Sequence, residues 1–203
     1  MRAAEEQVRG PGRPAAASRE DVLDAALYRY LRGQRVDVQA IAAELGLGRS
    51  TIYRWFGSRD GLIGEAIVAA TRPVFAKARR GARGKGAHLL LDIFDRFNRR
   101  LADAPALRSF LEHEHDAALR IITTSGGTVQ PQMVEMICSV IEAEIEAGSY
   151  DPPVDAADLA YAIVRLAEAF LFREPIAGRR GDVDRLRNVE AALLGIPRPR
   201  RRS

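Results

Sequence analysis

The chain has 203 residues, of which 47% are hydrophobic and 29% charged, enough apolar material for a core and enough length for two small domains sharing an interface. The net charge of +4, carried mostly by Arg, suits a polyanionic partner without requiring one. No stretch reaches the roughly 18 to 20 unbroken apolar residues of a membrane span, the N-terminal residues lack a secretory apolar run, and the lone cysteine, Cys138, excludes an intrachain disulfide. The expectation is a soluble, cytoplasmic protein with no membrane partner and no cofactor.

Residues 1–17 are mostly Ala, Arg, Gly and Pro, too poor in large apolar side chains to offset the entropy of ordering, and read as a disordered basic arm. The tail at 197–203 reads the same way. The first helix opens at Ser18, with Asp21 in the capping-box position, and carries the stripe Val22, Leu23, Ala26, Leu27, Tyr30 and Leu31 as far as Gly33. Asp37 caps a short helix over 38–45 whose inward residues are expected to be Ala40, Ile41, Ala43 and Leu45, and Gly46 supplies the positive φ that ends it. A third helix spans 49–56, stopped by Gly57, and Ser58 caps a fourth that runs from Arg59 towards Arg80.

Past the linker at 81–86, five more helices are predicted at 87–103, 106–123, 130–147, 155–175 and 182–194. Their breaks are marked by Pro105, by Gly126 with Gly127, by Asp151-Pro152-Pro153, and by Gly178 to Gly181. No alternating strand pattern competes. The fold is expected to be all-α: a three-helix helix-turn-helix domain at 18–63, then a helical ligand-binding and dimerisation domain at 64–196.

On the third helix Ile52 and Phe56 share one face and, with Leu47, can dock against Ile41 and Leu45, which turns Arg49, Ser50, Tyr53 and Arg54 outward. There is no acidic residue between Leu45 and Arg59. Arg can bond a guanine edge through two N–H groups, and Ser and Tyr can donate to phosphate, so this face fits a DNA groove. Arg59, in the first turn of the next helix, is placed for phosphate, and Trp55 has an indole N–H to offer. The bland alternative is a three-helix core with a solvated basic face.

The segment closely resembles the N-terminal domain of TetR-family transcriptional regulators. Ile41-Ala42, Leu45-Gly46-Leu47-Gly48, Thr51-Ile52-Tyr53-Arg54-Trp55-Phe56 and Arg59-Asp60-Gly61-Leu62 follow that family's pattern in type and spacing over some 45 positions from Val22. The resemblance implies that Tyr53 and Arg59 contact phosphate and that Arg49, Ser50, Thr51 and Arg54 face bases and backbone. Gly48 departs from the usual capping Ser or Thr, and Trp55 from the commoner His or Tyr. On the basic arm, Arg2, Arg9 and Arg13 either enter the minor groove or belong to a solvated leader.

One recognition helix covers only a few base pairs, so useful specificity requires two copies about one helical turn apart, roughly 34 to 36 Å. The resemblance implies a homodimer built on the last two long helices. In the first of these the apolar residues go nearly all the way round: Leu159, Ile163, Leu166 and Phe170 on one face, Tyr161, Val164, Leu171 and Phe172 on the other. Tyr161, Val164, Arg165, Glu168, Leu171 and Phe172 are the expected dimer residues, Arg165 and Glu168 pairing either across the interface or locally.

The resemblance also implies an effector pocket among the remaining helices. Phe94, Phe97 and Asn98, then Leu107, Phe110 and Leu111, then Met133, Met136, Ile137 and Val140, with Phe170, are its candidate lining, each with plain core as the alternative. Projected on one continuous helix, Glu114 falls among Leu107, Phe110, Leu111, Ala118, Ile121 and Ile122; it either meets a partner in the core or marks a polar spot in the pocket. In Glu112-His113-Glu114-His115-Asp116 the two His point apart, which leaves a charged flank as the alternative to a metal site and no metal expected.

No nucleophile motif, HExxH or phosphate-binding Gly loop supports an enzyme. The expectation is a sequence-specific regulator that binds double-stranded operator DNA, implied to be a repressor released by a small hydrophobic effector. An activator, an effector-independent regulator and a helical protein-interaction module are the alternatives. The closing segment AEAFLFREPIAG also resembles an actinobacterial subgroup typified by the regulator of a lactone-degrading pathway.

Overall fold

Short polar side chains start several of the helices. In the computed structural model, which describes residues 17–172 and 182–197, helix α1 (Arg19–Leu31) opens with a full capping box: the Ser18 hydroxyl accepts from the Asp21 N–H, and the Asp21 carboxylate accepts from the Ser18 N–H at 2.7 Å. Asp37 caps α2 (Val38–Glu44), accepting from the N–H groups of Gln39 and Ala40. Gly46, at φ 65°, turns the chain into α3 (Arg49–Phe56). Ser58 caps α4 (Arg59–Gly81) through the Gly61 N–H.

The remaining described helices are α5 (Gly86–Ala102), α6 (Pro105–His113), α7 (His115–Thr123), α8 (Val129–Glu146), α9 (Ala156–Leu171) and α10 (Val183–Leu193). No strand occurs among the described residues, and no described helix is long and apolar enough to cross a membrane. The all-α expectation holds. Two details differ. The helix predicted over 106–123 is two helices, broken at Glu114 (φ −134°, ψ 48°). Ala40 and Ala43 are exposed, because α2 turns Val38, Ile41 and Ala42 inward instead. The basic arm with Arg2, Arg9 and Arg13, and most of the tail, lie outside the described residues, as does the stretch 173–181.

Two buried clusters hold the helices together. The first joins Val22, Ala26 and Tyr30 of α1 to Ile41, Ile52, Phe56 and Leu62, and takes in Leu107 and Phe110 of α6 and Ile121 of α7. The second joins Phe75 of α4 to Leu90 and Phe94 of α5, Ile141 of α8, and Leu159 and Ile163 of α9. Each fully buried Leu, Ile or Phe contributes roughly 1.5 to 3 kcal/mol. Helix α4 supplies residues to both clusters, Leu62 to Val68 to the first and Phe75 and Ala78 to the second. Between these runs lies Pro73, which removes one backbone N–H from the helix, and Thr71, whose hydroxyl donates to the Ile67 carbonyl at 2.7 Å.

The start of α4 sits very close to the end of α3. A Cβ built on Gly61 would lie 2.1 Å from the Phe56 carbonyl oxygen, a contact no side chain tolerates without backbone movement. Arg19 braces the same corner, its guanidinium 4.4 Å from the Phe56 ring centroid and 2.5 Å from the Glu65 carboxylate. Gly61→Ala gains roughly 1 kcal/mol of helix propensity yet is expected to destabilise the protein by about 1 to 3 kcal/mol through overpacking, measured as a lower midpoint in urea unfolding. Unchanged or higher stability would contradict this packing.

Candidate nucleic-acid interface and cavity

Helix α3 divides as its sequence pattern requires. Ile52 and Phe56 are buried, and Arg49, Ser50, Tyr53 and Arg54 are exposed, Tyr53 to 44%. Thr51 is half-buried, and Trp55 is half-buried against the first core, which leaves only part of its ring at the surface. Gly48 stands at the N-cap and provides no side-chain hydrogen bond, so N–H groups of the first turn remain available to an anion beside Arg49.

Arg59 departs from its expected place. Its Nε donates to the Val36 carbonyl at 2.8 Å and its Nη2 to the Glu114 carboxylate at 2.8 Å, so the guanidinium is turned back into the protein instead of towards phosphate. The reason is tertiary. The first turn of α4 lies beside the break between α6 and α7, where Glu114 provides a partly buried partner. Asp60 makes the matching contact, accepting from Arg120 of α7 at 2.8 and 3.0 Å. Glu114 therefore belongs to an ion pair, and with Phe110 it borders a separate groove beside the turn between α1 and α2.

A different space, about 230 Å³, opens between the two cores. Of the expected pocket residues, Phe94, Phe97, Asn98, Leu107, Met133 and Ile137 line it. Phe110 instead stacks edge-on against Tyr30, with ring centroids 6.1 Å apart, and Val140 is buried in the second core. Leu111, Met136 and Phe170 are half-buried elsewhere. Tyr30 and Leu31, from the last turn of α1, also form part of this wall, as do Ile67 and Ala70 of α4.

The faces of α9 are the reverse of those expected for part of the dimer set. Val164, Glu168, Leu171 and Phe172 line the cavity, while Tyr161, at 47% exposure, and Arg165 are on the outer side with Ala169. A helix apolar nearly all round has no sequence-borne phase, and packing on α8 and α10 sets it. Arg165 pairs locally, donating to Glu168 at 2.7 Å and to the Thr123 carbonyl at 2.9 Å. Burial raises the Glu168 carboxyl above its usual range, and Arg165 opposes that shift.

The sequence reading missed Glu190. It is fully buried in α10 and lines the cavity, its Oε1 accepting from Asn98 Nδ2 at 2.9 Å while Oε2 has no hydrogen-bond partner. Burial pushes its carboxyl up to about 8, with Asp95 adding to the shift and the Asn98 hydrogen bond and Arg187 opposing it. Val183, Leu186, Glu190 and Leu194 are all buried, at a helical spacing that the sequence displays. The projection applied to Glu114 would have found this carboxylate.

Residues 85–195 match a family model described as the tetracyclin repressor-like C-terminal domain, and residues 30–66 one described as bacterial regulatory proteins of the tetR family. Among solved structures the chain is similar to the R. erythropolis transcriptional repressor QsdR from the TetR family, with 27% identity, a TM-score of 0.82, and coverage of 91% of this chain and 97% of that one. It is also similar to the TetR family repressor AlkX from Dietzia sp. strain DQ12-45-1b, at 22% identity and a TM-score of 0.56, covering 92% of this chain and 100% of that one. No curated protein matches the sequence. Of the segment resembling the actinobacterial subgroup, residues 173–178 lie outside the described residues.

The raised Glu190 carboxyl has a definite pH signature. Its stabilising contribution is fully present below the ordinary carboxylate value of 4.5 and declines as pH rises through about 8, because the unfolded chain ionises first. Glu190→Gln is expected to flatten the fall in unfolding free energy between pH 5 and pH 8. A pH–stability curve parallel to that of the wild type would contradict the assignment.

Proposed function

Because the chain belongs to the TetR family of bacterial regulators, and so is a DNA-binding transcriptional regulator, we propose that it is a homodimeric repressor released from its operator by a small hydrophobic effector. TetR-family proteins are regulators rather than enzymes; they bind operator DNA and small-molecule effectors and act as dimers. The observation that carries the reading is the exposed, acid-free surface of Arg49, Ser50, Tyr53 and Arg54 on a helix whose opposite face is anchored by Ile52 and Phe56. In this assignment Arg54 and Arg49 read base edges, Ser50, Thr51 and Tyr53 hold phosphates, and Trp55 packs the helix. The outer side of α9, with Tyr161 and Ala169, is the proposed partner-facing surface.

The cavity supports effector control because its wall includes Tyr30, Ile67 and Ala70, side chains of the helices that hold α3. A ligand that displaces α6 and α7 also pulls on Arg59 and Asp60 through Glu114 and Arg120. That moves the first turn of α4, and with it α3, so the two reading helices of the dimer lose the spacing of adjacent major grooves. A coupling of about 1 to 3 kcal/mol changes DNA affinity about 5- to 150-fold.

The experiment is a gel shift on duplexes selected from a random pool by the full chain. Wild type is expected to bind them selectively, with a log–log salt slope of about −0.9 per phosphate neutralised. Arg54→Ala combined with Tyr53→Phe should weaken binding at least about tenfold, since each lost base or phosphate contact removes on the order of 1 kcal/mol or more. Absence of sequence-selective binding by the wild type would sink the proposal.

A further inference from the structure

We propose that the cavity takes a neutral, largely apolar molecule bearing one carbonyl, as in a ketone, ester or amide, and that the Glu190 carboxyl donates a hydrogen bond to that oxygen. This rests on the reading of the cavity as the effector site. Glu190 is fully buried, and its one hydrogen-bond partner given by the structure is the neutral amide of Asn98. The charged groups around it are Asp95, of like sign, and Arg187, whose Nε lies 3.8 Å from Asp95. An isolated carboxylate in such a place is strongly disfavoured, so the carboxyl is held as the acid.

The position of the proton follows from the hydrogen bond already made. Oε1 accepts from Asn98 Nδ2, which leaves the O–H on Oε2, the atom without a partner. A buried donor lacking an acceptor is an incomplete hydrogen bond, and a ligand carbonyl completes it. Most of the rest of the wall is apolar: Phe94, Phe97, Leu107 and Met133 offer apolar surface to the body of the molecule. Thr71 spends its hydroxyl on the Ile67 carbonyl, and Tyr30 and Glu168 are the other polar side chains besides Asn98. No Lys, Arg or His lines the cavity among the described residues, whereas Glu168 adds a second carboxyl. An anionic ligand therefore meets two acids and no cation.

The test uses the full chain and displacement of the neutral fluorophore N-phenyl-1-naphthylamine by four matched probes: butylbenzene, butyrophenone, 4-phenylbutylammonium and 4-phenylbutanoate. Butyrophenone is expected to bind about five- to tenfold more tightly than butylbenzene, the worth of one hydrogen bond, with 4-phenylbutanoate weakest. Glu190→Gln should keep that advantage, because its amide N–H can donate in place of the acid, and Glu190→Leu should abolish it. Equal binding of butyrophenone and butylbenzene to the wild type overturns the proposal. So does 4-phenylbutylammonium binding best and losing its advantage in Glu190→Gln, since that identifies an ionised carboxylate and a cationic ligand. If the fluorophore and all four probes fail to bind the wild type, the effector-site reading itself fails, and the carbonyl assignment with it. The ranking in wild type and Glu190→Gln decides the matter even if Glu190→Leu does not fold.

Discussion

Helix α4 has to satisfy two hydrophobic cores at once. Its first half packs under α1, α3 and α7, and its second half against α5. Neither core can shift without moving a helix that the other also holds. Where the two sets of contacts meet, Pro73 removes a helix hydrogen bond and Thr71 bonds back to Ile67, so the shared element is least reinforced where a displacement would have to pass. The cavity opens at this level, which makes its contents a factor in how α4 sits.

The far end of α4 is tied down by chemistry as well as packing. Gly61 lets the first turn press against the Phe56 carbonyl, and the Arg59–Glu114 and Asp60–Arg120 pairs lash that turn to α6 and α7. The two pairs are unequal. Arg120 and Asp60 are well exposed and contribute at most about 1 kcal/mol. Arg59 and Glu114 are mostly covered, and Arg59 also satisfies the Val36 carbonyl, so that pair is the more costly one to break. An arginine that resembles a phosphate contact in sequence is thus part of the link between the start of α4 and the break between α6 and α7.

The DNA-reading half was legible because its signals are local. Ser18 with Asp21, Asp37, Gly46 and the spacing of Ile52 and Phe56 each act within a few residues, and each is realised in the fold. The break at Glu114 was not legible: no Gly or Pro lies between Leu111 and Ala117, and the partner that fixes the carboxylate is 55 residues away. The phase of α9 was hidden for a related reason, since a helix apolar on most sides needs its neighbours to choose a face. Glu190 is different. Its place on a buried stripe is visible in the spacing, but nothing local in this charge-rich helix says that the carboxylate faces a cavity.

The central claim is that occupancy of the cavity is felt at the junction of α3 and α4. Hydrogen–deuterium exchange of the full chain, with and without N-phenyl-1-naphthylamine, tests this directly. The account predicts altered exchange both at the cavity wall in α5 and α8 and at residues 57–62, where α3 meets α4. Protection confined to the cavity wall, with 57–62 unchanged, would contradict it.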